Sequence, residues 1–321
     1  MIEIDPTIEA DFHKVLEDHT AGDPMRADVK WTNLSRRQIA KRLGELGTPV
    51  GRDVVSQLLR KHGYRRRKAQ KKKTMGPRHP DRNAQFENIA RLKKEYLEAG
   101  WPVISVDTKK KELLGNFYRD GVIDTQETIE TNDHDFTSAG AGTVIPHGIY
   151  DVGRNEGYIH LNTSHETSEL ACDSIATWWE GHGRPAYPHA TKLLVLCDGG
   201  GSNSASRYVF KEDLQKLANR LGLEIRVAHY PPYCSKYNPI EHRVFPHVTR
   251  ACRGVIFQKL ETVRCYVSKT ETSTGLTVKV AILDKVYQTG RKCAAGFKKS
   301  MKIVFDTILP KWNYTAVPQP I

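Results

Sequence analysis

The sequence predicts two folded parts: a small, basic, all-α region, followed by an α/β domain that contains parallel strands. Three observations lead to this prediction. Apolar residues recur at helical spacing between residues 34 and 63, short apolar strands alternate with helices after residue 100, and positive charge is concentrated ahead of those strands. A chain of 321 residues is long enough for two domains and a sizeable core.

Composition excludes several classes of protein. The chain is 39% hydrophobic and 27% charged, as in a globular protein in water. Its start, "MIEIDPTIEADF", lacks the basic and apolar regions of a secretory signal, and no apolar run approaches the about 20 residues of a membrane helix. The six cysteines are scattered, without C-x-x-C pairs or zinc-ligand spacing. We therefore expect a cytoplasmic protein with reduced thiols and no membrane partner.

The net charge of +12 is unevenly distributed. Residues 29–83 hold 17 Lys and Arg against 3 Asp and Glu, a local charge of +14. A solvated basic face is the ordinary explanation of such a run. A block this large and local instead favours nucleic-acid binding.

Within the basic block, the pattern predicts two short helices. Ser35 and Gln38 have the spacing of a capping box at the first helix start, and Gly47 ends that helix before a turn. The apolar positions are Ile39, Ala40, Leu43 and Leu46 in the first helix, and Val54, Val55, Leu58 and Leu59 in the second. Two such helices form either a generic helical hairpin or a DNA-binding helix-turn-helix. The surrounding charge favours the second interpretation.

DNA contacts are predicted on the second helix and the basic tail that follows it. The candidates are Arg52, Gln57, Arg60, Lys61, Arg65, Arg66, Arg67 and Lys68. The predicted organisation is a helix-turn-helix region with its basic tail (1–75), a linker and connecting helix (76–100), a catalytic domain (101–260) and a β-rich extension without an identified role (261–321).

The second part reads as strands that alternate with helices. The predicted strands are "WPVISVDT", "LLGNFYRDG", "EGYIHLNT", "KLLVLCDGGG" and "LEIRVAHY", and a polar loop follows the second of them. The first strand ends on Asp107 and the fourth on Asp198. Taken singly, each aspartate is an ordinary turn residue at a strand end.

A proline-rich stretch, "YPPYCSKYNPIEHRVF", delivers a third acid. Asn238 is a suitable N-cap, and Pro239 at the first helical position has its φ already set for a helix. Glu241 then lies in the first turn, where acids often serve only to cap the helix. Ser235 precedes this helix start.

The joint placement of the three acids favours a metal site over three separate capping roles. Ligand sites form at the carboxyl ends of strands in α/β sheets, and three carboxylates suit Mg²⁺ or Mn²⁺. The order strand-Asp, two strands and a helix, strand-Asp, helix, strand, and helix-Glu is that of the ribonuclease-H-like fold, also found in retroviral integrases.

Three segments, "PVISVDTKKKELLGNF", "LLVLCDGGGSNS" and "PPYCSKYNPIEHRVFPHVTR", resemble the DDE transposases of bacterial insertion sequences, in particular the Rhodopirellula-type family, which is distantly related to Tc/mariner transposases. The resemblance implies metal-dependent DNA cleavage and strand transfer, with Asp107, Asp198 and Glu241 as catalytic acids that bind two Mg²⁺ or Mn²⁺ ions. It further implies double-stranded DNA partners, namely inverted-repeat ends and target DNA. A homodimer or larger synaptic assembly in the bacterial cytosol, associated with the nucleoid, is also implied.

Lys109 and Lys110, which follow the first aspartate, are candidates for binding DNA phosphates, although a solvated turn explains them equally well. The resemblance implies a further N-terminal helical unit, and we expect this sequence to start beyond it, which leaves end recognition open. Two alternatives therefore stand beside an active transposase. One is a shortened relic that only binds DNA, and the other is a ribonuclease-H-type host nuclease, which the helix-turn-helix disfavours.

Overall fold

The computed structural model describes residues 6–17, 20–23, 26–67 and 79–319. The chain divides into two compact units, residues 1–73 and 74–321. Lys68, one of the predicted DNA contacts, lies outside the described residues.

The first unit is built on three helices around a small apolar core. Its elements are α1 (Pro6–Glu17), β1 (Thr20–Asp23), β2 (Arg26–Thr32), α2 (Arg36–Glu45) and α3 (Arg52–Lys61). Phe12 of α1 packs with Leu43 of α2 and Leu58 of α3, and all three are fully buried. The capping box is confirmed: the Gln38 amide donates to Ser35 Oγ (3.2 Å), and the Ser35 amide donates to Gln38 Oε1 (2.8 Å).

The prediction of an all-α first region is wrong. Strands β1 and β2 form a two-stranded antiparallel sheet, in which Thr20 pairs with Thr32. The second strand contains Val29, Trp31 and Thr32, β-branched or aromatic residues that favour extended backbone. The alternation of apolar and polar residues in β1 and β2 is too short to distinguish these strands from a loop. The sequence prediction therefore rested on the helical spacing of the apolar residues that follow.

The second unit is a mixed α/β structure. Its elements are α4 (Arg82–Glu98), β3 (Val103–Thr108), β4 (Glu112–Leu114), β5 (Gly142–Asp151), β6 (Glu156–Asn162), α5 (Ser168–Trp178), α6 (Arg184–Ala186), β7 (Lys192–Cys197), α7 (Tyr208–Leu221), β8 (Glu224–His229), α8 (Pro239–Arg243), α9 (Phe245–Ala251), α10 (Leu260–Ser268), β9 (Thr277–Ile282), α11 (Phe297–Ser300), β10 (Ile303–Phe305) and β11 (Asn313–Ala316). None of the helices in the described ranges has both the length and the apolar composition needed to cross a bilayer.

Nine strands form one sheet, in the order β10-β11-β8-β7-β3-β5-β6-β9, with β4 paired to β5. The central strands β3, β7 and β8 are mutually parallel, and β5 and β6 continue the sheet in antiparallel pairs. On one face, α5 and α7 cover β3, β7 and β8 through Ile175, Leu214 and Val195, which are buried. The parallel arrangement predicted for the two aspartate-bearing strands is present.

The prediction of a second strand over "LLGNFYRDG" is largely wrong. Only Glu112–Leu114 is extended there, and the antiparallel partner of β3 is β5. Gly115 and Gly121 have φ values of 137° and 139°, which take the chain out of a strand. The true strand contains Pro146 and Gly148, residues that usually weaken a strand prediction.

The segment after residue 260 is part of this sheet. Strand β9 pairs in parallel with β6, and β11 pairs antiparallel with β8, with Tyr314 opposite Val227. This segment therefore lies beside the strand that leads to the third acid.

Candidate active site

Two of the three predicted acids meet at the carboxyl ends of adjacent parallel strands. Asp107 is the penultimate residue of β3, and Asp198 directly follows β7. The register pairs Val103 with Leu194, so the two strands end side by side. Asp107 Oδ1 accepts a hydrogen bond from the Thr108 amide at 2.8 Å, and Asp198 Oδ1 accepts one from the Gly200 amide at 3.4 Å.

The third acid is delivered by the start of α8. A 3₁₀ turn begins at Ser235, which is exposed, and Pro239 is the first helical residue, as predicted. Glu241 is then in the first turn and lies within hydrogen-bonding reach of the Asp107 carboxyl. The helix start therefore brings the third carboxylate to the first.

Asn238 is the N-cap residue of α8, as predicted, but its side chain makes no capping hydrogen bond. Asn238 Oδ1 accepts from Ser105 Oγ (2.5 Å), and Asn238 Nδ2 donates to the Val106 carbonyl (3.0 Å). Ser105 Oγ instead accepts from the Ile240 amide at 2.9 Å. Asn238 and Ser105 are both completely buried, and buried polar groups need hydrogen-bond partners. The Asn238 amide therefore bonds to β3 rather than to its own helix. This network fixes α8 two residues from Asp107.

The three carboxylates repel one another. Burial raises the pKa of Asp107 to about 8, and the nearby charges of Asp198 and Glu241 add to the shift. Burial also raises the pKa of Asp198, with further contributions from Glu241 and from Glu166. Within the described ranges, none of the three predicted acids forms an ion pair with Lys, Arg or His. The cluster is thus an acidic site without a compensating side-chain cation.

Glu166 is a fourth carboxylate at this site that the sequence reasoning missed. It lies just before α5, close enough to Asp198 to raise its pKa, and its Oε2 is 3.7 Å from Lys111 Nζ. Its sequence context, "HETSEL", is that of an ordinary helix start, so no signal distinguished it. Ser105 was missed for a similar reason, since a serine inside an apolar strand gives no periodic pattern.

The two lysines after the first aspartate differ in their surroundings. Lys109 Nζ is 2.5 Å from Glu112 Oε1, and only 12% of its side chain is exposed. Lys110 is exposed. Lys109 is thus occupied by an ion pair, and Lys110 is the more available of the two to a phosphate.

The candidate DNA contacts of the first unit lie on its surface. Those exposed to solvent are Arg52, Gln57, Arg60, Lys61, Arg65, Arg66 and Arg67. Lys61 Nζ is 2.8 Å from Glu9 Oε2, and Arg65 Nη1 donates to the Arg60 and Tyr64 carbonyls. Arg66 and Arg67 have no ion-pair partner among the residues described.

The chain belongs to the Rhodopirellula transposase DDE domain family, whose sequence pattern matches residues 11–318. The predicted family is therefore confirmed. No curated protein sequence matches the chain.

Complexes of Mos1 transposase are among the solved structures that are similar to this chain. A Mos1 paired-end complex with Mg is 14% identical at a TM-score of 0.46, covering 83% of this chain and 72% of that one. A pre-cleavage Mos1 transpososome is 12% identical at a TM-score of 0.45, covering 81% and 69%. A Mos1 paired-end complex with the left transposon end is 13% identical at a TM-score of 0.44, also covering 81% and 69%.

Proposed function

We propose that this protein is a DNA transposase that binds the ends of an insertion sequence and cleaves and joins DNA through Asp107, Asp198 and Glu241. One observation carries the proposal: in a chain of a transposase DDE domain family, these three acids meet at one edge of the sheet without a cationic partner. The order of β3, β5, β6, β7 and β8, with α8 closing the site, supports a ribonuclease-H-like catalytic domain.

The donor set fits divalent metal ions. Three crowded carboxylates, two of them with raised pKa values, offer hard oxygen ligands that Mg²⁺ and Mn²⁺ prefer. Asp107, Asp198 and Glu241 would hold the ions, and we propose two of them. When bound, such ions activate a water or 3′-hydroxyl nucleophile and stabilise the leaving oxygen.

The contribution of the protein itself is mainly positional. In-line phosphoryl transfer needs little covalent help, so rate depends on the placement of charge. Buried Ser105 and Asn238 join β3 to the start of α8, which holds Glu241 against Asp107. Lys110 is available for a DNA phosphate near the acids.

DNA recognition is proposed for the first unit. The exposed face of α3 presents Arg52, Gln57 and Arg60, which are suited to base edges in the major groove. The arginines at 65–67 are suited to backbone phosphates. Because two ends must be brought together, we propose that the protein acts as a dimer or larger assembly on DNA.

The test is cleavage of duplexes that carry the DNA flanking the coding sequence. With Mg²⁺, the wild-type chain should nick and join these ends, whereas Asp107→Asn, Asp198→Asn and Glu241→Gln should bind them without cutting. Asp133→Asn is the matched control, since that side chain is 94% exposed. Cutting by any triad variant near the wild-type rate would refute the site. Binding of the ends by a wild-type chain that never cuts would favour the relic.

A further inference from the structure

His229 connects β11, the last strand in the sequence, to Asp198, one of the proposed metal ligands. It is the final residue of β8, is completely buried, and lies opposite Cys197 of β7. Its Nδ1 is 2.8 Å from the main-chain oxygen of Asp198 and 3.3 Å from Cys197 Sγ. Its Nε2 is 2.8 Å from Tyr314 Oη.

These contacts determine the tautomer of the ring. A carbonyl oxygen only accepts hydrogen bonds, so Nδ1 must carry the proton that it donates to Asp198. The ring is completely buried, and its hydrogen-bond partners are a thiol, a carbonyl and a phenol hydroxyl rather than a carboxylate, so the neutral form is the one that this site accommodates. Nε2 is then an acceptor, and the Tyr314 hydroxyl donates to it. The hydrogen bonds therefore run in one direction, from Tyr314 through His229 to Asp198.

The histidine is itself held in place by β11 and α4. Its main-chain amide donates to the Trp312 carbonyl at 3.0 Å, and its carbonyl accepts from Gln85 Nε2 at 2.8 Å. Gln85 in turn exchanges two hydrogen bonds with Asn313, of 3.0 and 2.7 Å, and both side chains are completely buried. The ring therefore has a defined position.

The hydrogen bond from His229 to the Asp198 carbonyl (2.8 Å) is shorter than the hydrogen bonds that the next two residues make, from the Gly200 amide to Asp198 Oδ1 and from the Ala205 amide to the Gly199 carbonyl, both 3.4 Å. Glycines occupy positions 199–201, so the backbone that follows the aspartate is conformationally permissive. The hydrogen bond to the Asp198 carbonyl fixes the peptide plane on its carboxyl side. That plane sets the direction in which the Asp198 side chain leaves the strand.

We propose that His229 and Tyr314 are positioning residues that orient Asp198 for metal binding, and that β11 is thereby part of the active centre. The inference rests on the proposed function, since it assumes that Asp198 is a metal ligand. Hydrogen-bond partners behind metal ligands typically contribute 10–100-fold to metal affinity.

The test is the Mn²⁺ affinity of the full-length protein without DNA, measured by electron paramagnetic resonance of free Mn²⁺. His229→Leu, which removes the donor and keeps an apolar volume, should weaken binding about 10–100-fold. His229→Asn places an amide donor near the Nδ1 position and should restore most of the affinity. His229→Gln places its amide near Nε2 and should not. His160→Leu is the matched control, because His160 is also buried in this sheet. The His160→Leu variant should bind Mn²⁺ with the affinity of the wild type.

Wild-type affinity in His229→Leu, or equal affinity of the Asn and Gln variants, would overturn the proposal. If His229→Leu does not fold, Tyr314→Phe decides the matter, because it removes only the hydroxyl group. Tyr314→Phe should bind Mn²⁺ severalfold more weakly at an unchanged circular dichroism spectrum, and unchanged binding would overturn the proposal. The Asp198→Asn variant distinguishes a failure of the positioning proposal from a failure of the proposed metal site. If this variant binds Mn²⁺ as tightly as the wild type, Asp198 is not a metal ligand and the proposed metal site is wrong.

Discussion

Replacing Asp107 by Asn should stabilise the metal-free protein while it abolishes cleavage. Asn keeps the shape of the side chain and the acceptor for the Thr108 amide, but it removes a charge that is disfavoured by burial and, in addition, by the neighbouring charges of Asp198 and Glu241. Because the pKa of Asp107 is raised from 3.8 to about 8, the fold disfavours its ionised form. This penalty is absent below about pH 4, grows as the pH rises, and is complete above about pH 8.

The size of the effect follows from the pKa. A shift of one pKa unit corresponds to about 1.4 kcal/mol, so a change of about 4 units sets a ceiling of roughly 6 kcal/mol. Since Glu241 can share the proton with Asp107, we expect a gain of about 2–4 kcal/mol at pH 8. In a unit of this size, that gain corresponds to a rise in Tm of about 5–10 °C.

The assay is thermal unfolding in EDTA between pH 4 and pH 9, followed by tryptophan fluorescence. All tryptophans except Trp31 belong to the second unit, so the signal reports mainly on the unit that contains the site. Asp133→Asn, on an exposed loop, should leave the Tm unchanged at every pH. A gain for Asp107→Asn that is the same at pH 4.5 and pH 8, or no gain at all, would show that the fold does not disfavour the ionised Asp107 carboxylate.

Further predictions concern the metal, the DNA and the support of Glu241. EDTA should abolish cleavage, and Ca²⁺ should support DNA binding without cutting, because it accepts looser coordination than Mg²⁺; gel shifts and nicking assays with each metal check this. Replacing the arginines at 65–67 by alanine should weaken binding equally on all sequences and reduce the log–log salt slope by about 0.9 per lost phosphate contact, whereas Arg52 and Arg60 variants should change which sequence is preferred in gel-shift competition. Asn238→Ala should cost about 1–3 kcal/mol in guanidinium unfolding, since it removes the acceptor of the buried Ser105 hydroxyl and a donor to the Val106 carbonyl, and it should lower the cleavage rate more than the lost stability explains.

The sequence predicted the local parts of the site well. Strand ends and helix starts depend on neighbouring residues, so Asp107 and Asp198 at strand ends and Pro239 at the first helical position could be read from short segments. The capping box at Ser35 is another local feature that could be predicted. Features that depend on distant residues were missed: the side chain of Asn238 bonds to β3, more than 130 positions earlier in the chain, rather than to its own helix.

The sequence thus predicted the family, the placement of the three acids at strand ends and a helix start, and most of the elements around them, but not β5. Tertiary structure decided which strand pairs with β3, that the segment after residue 260 completes the sheet, and that Glu166 and His229 lie at the acids. Strand pairing and buried hydrogen bonds join residues far apart in sequence, and no local periodicity records such partners. The proposed catalytic acids could therefore be identified from the sequence, whereas the residues proposed to hold them in position could be identified only from the folded chain.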